Sequence, residues 1–501
     1  MTSAIETNTQ TLEEIQDFKG KYPKQLWYLF LSEMWERFSF YGMRGMLTIF
    51  MVDKAQLHMN DHDANLQYGA TQAFVYTLAF VGGLFADKIL GFRKSIFWGG
   101  FLMILGSFIL ATAPKELFYI GISFTIVGTG FFKPNISTMV GTLYAKGDPR
   151  RDAGFGLFYS GINIGALLGG AICVWLGKHY SWNAAFSCAG IVMTISLLIF
   201  IFTKRTLGPI GLSPLAGKYT PSKILRYDIM VYAGSLLIIP IILKLVSVSQ
   251  YTDMFMYIVG PLTLLYIIYE MLKYNKVEKQ KITAAMIFII FSIFFWAFFE
   301  QSGGSLNLFA EHNLTDKVIG LTIDPNVINN SSNSFFVILF SPFIGLLWLW
   351  LSKRKLEPNT VVKFGMGFLF LSLAFYVFYY TRFFADKNGI TSLNTFTLAY
   401  LVITIGELCL SPIGMSIVTK LSPKPMHGVM MGMWFLASAY GQYAAGLLGA
   451  DMSSSNPNAS LSDKLIAYTD GYKHLALYAL IAGIVLIVIS PLVRKLMHEV
   501  H

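Results

Sequence analysis

Residues 31–47 read LSEMWERFSFYGMRGML. The stretch is apolar enough to lie in a bilayer, yet it carries Glu33, Glu36, Arg37 and Arg44. A charge at mid-membrane costs roughly 2.5–3.5 kcal/mol on insertion scales, so such a cluster needs a reason. At about 100° per residue, Glu33, Glu36, Arg37, Phe40, Tyr41 and Arg44 fall within an arc of roughly 140°. One helix face therefore carries the charges, and it must look into a bundle or a watery cavity rather than into lipid. The competing reading is a self-neutralising ion-pair cluster that only ties helices together. Arg44 argues against it, having no opposite charge one turn away.

The rest of the chain has the same solvent. Of 501 residues, 54% are hydrophobic and 13% charged, about half the charge of a soluble protein. Apolar blocks of about 20 residues recur, each long enough to cross some 30 Å of hydrocarbon. They predict an all-α membrane protein with fourteen spans, near 26–52, 64–86, 95–113, 117–143, 153–177, 182–203, 227–247, 253–273, 283–308, 327–352, 361–381, 394–419, 426–449 and 471–493. The net charge of +10 is no nucleic-acid signal, because the excess Lys and Arg sit in alternate loops. One loop set, with the C-terminal tail, holds about 23 of them and the other about nine, which predicts that both termini are cytoplasmic. The richest connections are 204–226, with Lys204, Arg205, Lys218, Lys223 and Arg226, and 353–363, opening on Lys353, Arg354 and Lys355. Residues 1–25 lack an apolar core, so no cleavable signal is expected and the first span serves for insertion.

Polar residues concentrate in spans one, two, four and five, and again in nine, ten, twelve and thirteen. Spans seven and eight are blander. The pattern predicts a cytoplasmic tail (1–25), a six-helix bundle (26–203), a linker with two extra spans (204–281), a second six-helix bundle (282–495) and a short tail (496–501). Two six-helix halves around a cavity are a secondary-transporter plan. Within span five, Gly161, Gly165 and Gly169 at every fourth position let two helices approach closely. Between them stands Asn163, whose amide suits a cavity.

Other signals carry less. Cys173, Cys188 and Cys409 lie in apolar spans, so neither a disulfide framework nor a metal site is expected. Asn60, Asp61, His62 and Asp63, with His58 nearby, offer metal-ligand types, but in a loop that reads as a solvated turn. No phosphate-binding G-x-x-x-x-G-K-[ST] occurs, so ATP does not drive this protein. Met430, Met431 and Met433 fit adaptable packing.

Several motifs together resemble the proton-coupled oligopeptide transporter family of the major facilitator superfamily, in its bacterial branch. Residues 33–44, EMWERFSFYGMR, are similar to that family's first-helix motif, with Phe40 where a tyrosine is usual. Residues 82–94, GGLFADKILGFRK, resemble the superfamily's loop motif. Residues 128–137, GTGFFKPNIS, and 150–166, RRDAGFGLFYSGINIGA, resemble the long family signature. In the second half, 295–301 (FWAFFEQ), 406–412 (GELCLSP) and 433–436 (MWFL) match as well.

The resemblance implies a major facilitator fold with two inserted helices, and a symporter rather than an enzyme. It implies proton-coupling roles for Glu33, Glu36, Arg37, Lys133 and Glu300. Phe40, Tyr41, Arg44, Tyr76, Lys133, Tyr159, Asn163, Trp296, Glu300, Asn333, Glu407, Ser411 and Trp434 would bind substrate. Glu300 would face Arg44, and Lys133 would face Glu407. Di- and tripeptides, protons and membrane lipids are the expected partners, with no nucleic acid, no metal and no cofactor beyond the coupling proton. The expected state is a monomer in the bacterial cytoplasmic membrane.

The chain departs from the family pattern at several points. Phe299 stands where some relatives have a second acid, and no histidine occurs in 64–86. Proton coupling is thereby left to carboxylates. The short loop 382–393 leaves no room for the extracellular domain of animal relatives.

The residue types suit that task. A peptide is a zwitterion, and the first half offers Arg37, Arg44 and Lys133 while the second offers Glu300 and Glu407. Asparagine amides suit peptide backbone ends, and aromatic walls suit varied side chains. A membrane enzyme would need a nucleophile–base pair or a metal set near the charged spans, and neither is present in the sequence. A passive channel fits opposed charges less well than alternating access does. Nitrate, carried by plant relatives, is the alternative solute, and two acids in the second half disfavour a lone anion.

Overall fold

The computed structural model describes residues 10–410, 414–454, 456 and 459–500, and only the backbone of Met415 and Ser416. A short α1 (Leu12–Gln16) precedes α2 (Lys24–Val52), α3 (Asp61–Phe85), α4 (Phe92–Thr112), α5 (Phe118–Thr142), α6 (Arg150–His179) and α7 (Trp182–Thr203). Then come α8 (Pro221–Ser247), α9 (Ser249–Leu272), α10 (Lys276–Phe299), α11 (Ser305–Asn313), α12 (Pro325–Lys353) and α13 (Thr360–Tyr380). The chain closes with α14 (Leu393–Leu410), α15 (Gly414–Leu421), α16 (His427–Asp451) and α17 (Leu461–Met497). Each expected span is met by a helix or a helix pair. Eleven of these among the described residues are long and apolar enough to cross a membrane. Helix α2 is not among them because its own charges exclude it. A two-stranded antiparallel ribbon, Lys317–Val318 with Leu321–Thr322, was not foreseen in the sequence.

One expected span is interrupted: the ninth breaks into α10 and α11 around a 3₁₀ turn at Glu300–Gly303. The twelfth is described as α14 and α15, on either side of residues 411–413, which lie outside the described set. A second irregularity, a π-helical turn at Ala86–Leu90, ends α3 in the loop motif and leads into Gly91 at φ +76°. Such departures from α geometry in long helices often mark working parts.

The chain forms two compact units, one of residues 1–44 with 74–244 and the other of 45–73 with 245–501. The two inserted helices are thus divided between them. In the first unit, α8 is held by Lys94 to Asp228 at 2.5 Å and by the Trp98 indole N–H donating to Ser235 Oγ at 2.8 Å. In the second unit, α9 is held by Tyr443 donating to Asp253 at 2.5 Å and by Tyr440 donating to the Met256 carbonyl. Both helices still expose large apolar side chains such as Leu237, Ile241, Leu262 and Leu265, as lipid-facing helices do.

The glycine ladder of α6 sets the position of α2 in the first unit. Gly161 receives the Phe30 ring, Gly165 the Met34 carbonyl, and Gly169 the Phe38 carbonyl. A Cβ at Gly165 would press into both the Met34 oxygen and the Arg37 side chain. Gly165→Ala is expected to destabilise the fold by about 1–3 kcal/mol through overpacking. Thermal unfolding in detergent, followed by tryptophan fluorescence, checks this; an unchanged Tm would show that α2 yields freely.

Candidate functional site

In the first unit, close packing of α2 on α6 buries the charged face of α2. Glu33 is 2% exposed, Glu36 0% and Arg37 1%. The Arg37 guanidinium lies 3.1 Å from Glu33 and also pairs with Glu36. Neither contact has hydrogen-bond geometry, and Glu33 Oε2 and both Glu36 oxygens accept no hydrogen bond among the described residues. One cation therefore serves two fully buried carboxylates. The second cation within electrostatic reach of both is Lys133, on α5. Pro134, next to it, removes a backbone donor from α5, and Asn135 donates its amide to the Phe131 carbonyl at 2.7 Å.

Aromatic faces position these cations. The Lys133 ammonium sits 4.1 Å above the Tyr76 ring and 5.9 Å from Phe40, and Arg37 lies 5.3 Å from the same Phe40 ring. Arg44 lies 5.6 Å from Tyr41. Phe40 thus holds two cations by its face, a role that needs no hydroxyl. Asn163 is 7% exposed and donates to the Tyr159 carbonyl one turn back at 3.0 Å. One bond of its amide is thereby made within its own helix.

In the second unit, Glu300 caps α10 and is 5% exposed. It is within electrostatic reach of Glu407 on α14, so two like charges share this unit. Asn333 donates to Glu407 at 2.8 Å and to Thr404 Oγ1 at 3.2 Å. Its amide thereby holds the acid in place. Trp296 packs edge-on against Phe295 and Phe299, each at 5.5 Å, beside Gly441. Trp434 lies against Gly414 at the start of α15. Ser411 lies outside the described residues.

The frame that fixes Glu300 escaped the sequence reading. The break after α10 leaves carbonyls without helical partners. Asn329 donates to the Ser302 carbonyl at 2.8 Å and Thr48 to the Gly303 carbonyl at 3.0 Å. The Asn307 side-chain Oδ1 accepts from Asn326, Asn329 and Asn330 at 2.9–3.0 Å, while its Nδ2 donates to the Gly45 carbonyl and to Thr48 Oγ1. Tyr400 completes the network by donating to Asn329 at 2.6 Å. Asn326, Asn329 and Asn330 at helical spacing in an apolar span were the available signal.

No group of three or more His, Cys, Asp or Glu residues that could hold a metal occurs among the described residues. The family profile described as PTR2, the POT family, matches residues 93–461. The chain belongs to the POT family. This makes it a multi-pass membrane transporter with the major facilitator fold, and not an enzyme. A peptide transporter of Yersinia enterocolitica, YePEPT, is 34% identical, with 99% of each chain covered. Dipeptide and tripeptide permease B of Photorhabdus luminescens is 29% identical over 95% of this chain and 97% of its own. A crystal structure of a POT peptide transporter in complex with sulfate superposes with a TM-score of 0.82 at 29% identity, covering 98% of this chain and 100% of that one.

Proposed function

We propose that this POT-family protein imports di- and tripeptides with protons across the bacterial cytoplasmic membrane by alternating access, as a monomer with both termini cytoplasmic. The observation that carries the reading is a division of charge. The first unit holds Arg37, Arg44 and Lys133 against two carboxylates, and the second holds Glu300 and Glu407 within reach of each other. A zwitterion carries a charge of each sign. The relatives named for peptide, dipeptide and tripeptide transport support the same substrate class, and the acids disfavour nitrate. The basic loops 204–226 and 353–363 support the orientation.

The proton is the coupling ion in this reading. Protonation of Glu33 or Glu36 would leave Arg37 and Lys133 with one carboxylate between them, freeing positive charge to hold a peptide carboxylate. A state change follows only from the difference in energy between the two conformations. Proteoliposomes tested with labelled dialanine under an inward proton gradient, competed with trialanine, alanine and nitrate, decide the matter. Competition by trialanine alone supports the proposal; no accumulation, or competition by nitrate, rejects it. Lys133→Ala should lower dialanine uptake by about tenfold or more, the loss of one charge-assisted contact. Wild-type uptake by that variant would remove Lys133 from the site.

A further inference from the structure

The far ends of α2 and α3, residues 45–73, are packed into the second unit by a cluster that no transport role above uses. Asp61, the first residue of α3, is 3% exposed, whereas its neighbours His62 and Asp63 are solvated as the sequence predicts. Its Oδ1 accepts from the Lys464 ammonium at 3.1 Å and lies 3.2 Å from His312 Nε2. Its Oδ2 accepts from the Tyr468 hydroxyl at 2.7 Å. Lys464 and His312 approach each other at 3.0 Å. Three segments distant in sequence thus meet at one carboxylate. Uncharged ties stand beside it: Asn65 donates to Ser453 at 2.9 Å, and Gly69 meets the Gly446 backbone.

We propose that Asp61, His312, Lys464 and Tyr468 form the outer latch of the transporter, and that protonation of His312 releases it. The proposal rests on the transport reading and its orientation, which put the loop 53–60 outside. With neutral His312, Nε2 accepts from Lys464, and the charges of Asp61 and Lys464 cancel. Protonation makes Nε2 a donor beside an ammonium 3.0 Å away. Attraction to Asp61 at 3.2 Å is offset by that repulsion, so the desolvation of one extra, partly buried charge stands uncompensated. Imidazole is the side chain whose ordinary titration lies between pH 5 and 8.

Other polar and charged groups come from the elements packed against α11. Helix α11 packs on α12, α17 and the break at Glu300–Gly303. From α12 come the neutral amides of Asn326, Asn329 and Asn330, with Asp324 capping that helix. From α17 come Lys464 and Tyr468, and Glu300 stands beyond the opposite end of α11. Glu311, adjacent on α11, has polar contacts of its own. Acid outside would then favour opening toward the side from which protons enter.

The test is double electron–electron resonance in nanodiscs, with spin labels on cysteines at the exposed positions Ala55 and Asn388 and with Cys173, Cys188 and Cys409 replaced. Between pH 8 and 5.5 the long-distance population should rise several-fold. In His312→Gln that rise should vanish. Tyr468→Phe, which removes one tie and no charge, should open more at both pH values and keep the acid response. An acid response unchanged in His312→Gln overturns the proposal, as does a closed population that grows in acid through His312. A Tyr468→Phe protein no more open than its parent also counts against it. The distances need no substrate. An acid response with no dialanine uptake rejects the peptide reading and leaves the latch; uptake without it does the reverse.

Discussion

Glu33→Gln is expected to abolish proton-driven accumulation of dialanine while peptide exchange continues. Glutamine copies the shape of the protonated acid and cannot release a proton. The buried trio has one guanidinium for two carboxylates, so its balance depends on Lys133 and on whether a proton is present. Fixing one acid in the neutral form removes the alternation that links proton entry to the conformational cycle. Each coupled proton under a one-unit pH gradient supports at most about tenfold accumulation, because 1.4 kcal/mol is one decade. The variant should lose that factor and equilibrate at a ratio near one. Counterflow, which needs only binding and exchange, should remain close to wild type. Accumulation of dialanine at the wild-type ratio would take Glu33 out of the coupling step.

Arg37→Met is expected to cost about 3–5 kcal/mol of stability, the range for orphaning buried charge. Methionine fills much of the space and keeps the helix. It removes the cation shared by Glu33 and Glu36, which are 2% and 0% exposed. The sign of the pH dependence follows. At pH 8 the unpaired carboxylates must either stay charged in a low-dielectric site or take up protons against their concentration. At pH 5 protons are a thousand times more available, so the deficit should shrink. Melting of the variant and parent across this pH range measures it. A Tm gap that is constant or wider in acid would mean that the trio is not an electrostatic unit. Combining Arg37→Met with Glu36→Gln should recover part of the loss at pH 8, because the second change removes one of the orphaned charges.

Much of the site was legible because lipid makes charge conspicuous. Glu33, Glu36 and Arg37 stood out on cost alone, and their single-face spacing predicted the burial that the structure shows. The glycines at 161, 165 and 169 likewise foretold a close helix contact, though not which carbonyls they admit. Neutral polar residues were harder to read. Asn163 and Asn333 were read as ligand contacts, and the sequence did not show the bonds they make within the protein, one to its own helix and the other to Glu407. An amide bears no net charge, so its insertion cost is small and its partner cannot be read from composition. Asp61 was misread for the opposite reason. A carboxylate beside His62 and Asp63 looks solvated until Lys464 and Tyr468 arrive from some 400 residues away.

By itself the sequence determined the solvent of this protein, its apolar spans and its charged faces, and its motifs pointed to the family. The first three follow from local composition, since hydrocarbon penalises each polar residue where it stands. Only the tertiary structure decided where helices break, which loop acid is buried and which inserted helix joins which unit. Those outcomes depend on which distant groups satisfy a backbone carbonyl or a charge. The break at Glu300 persists because Asn329 and Thr48 receive its released carbonyls, and neither lies near it in the chain.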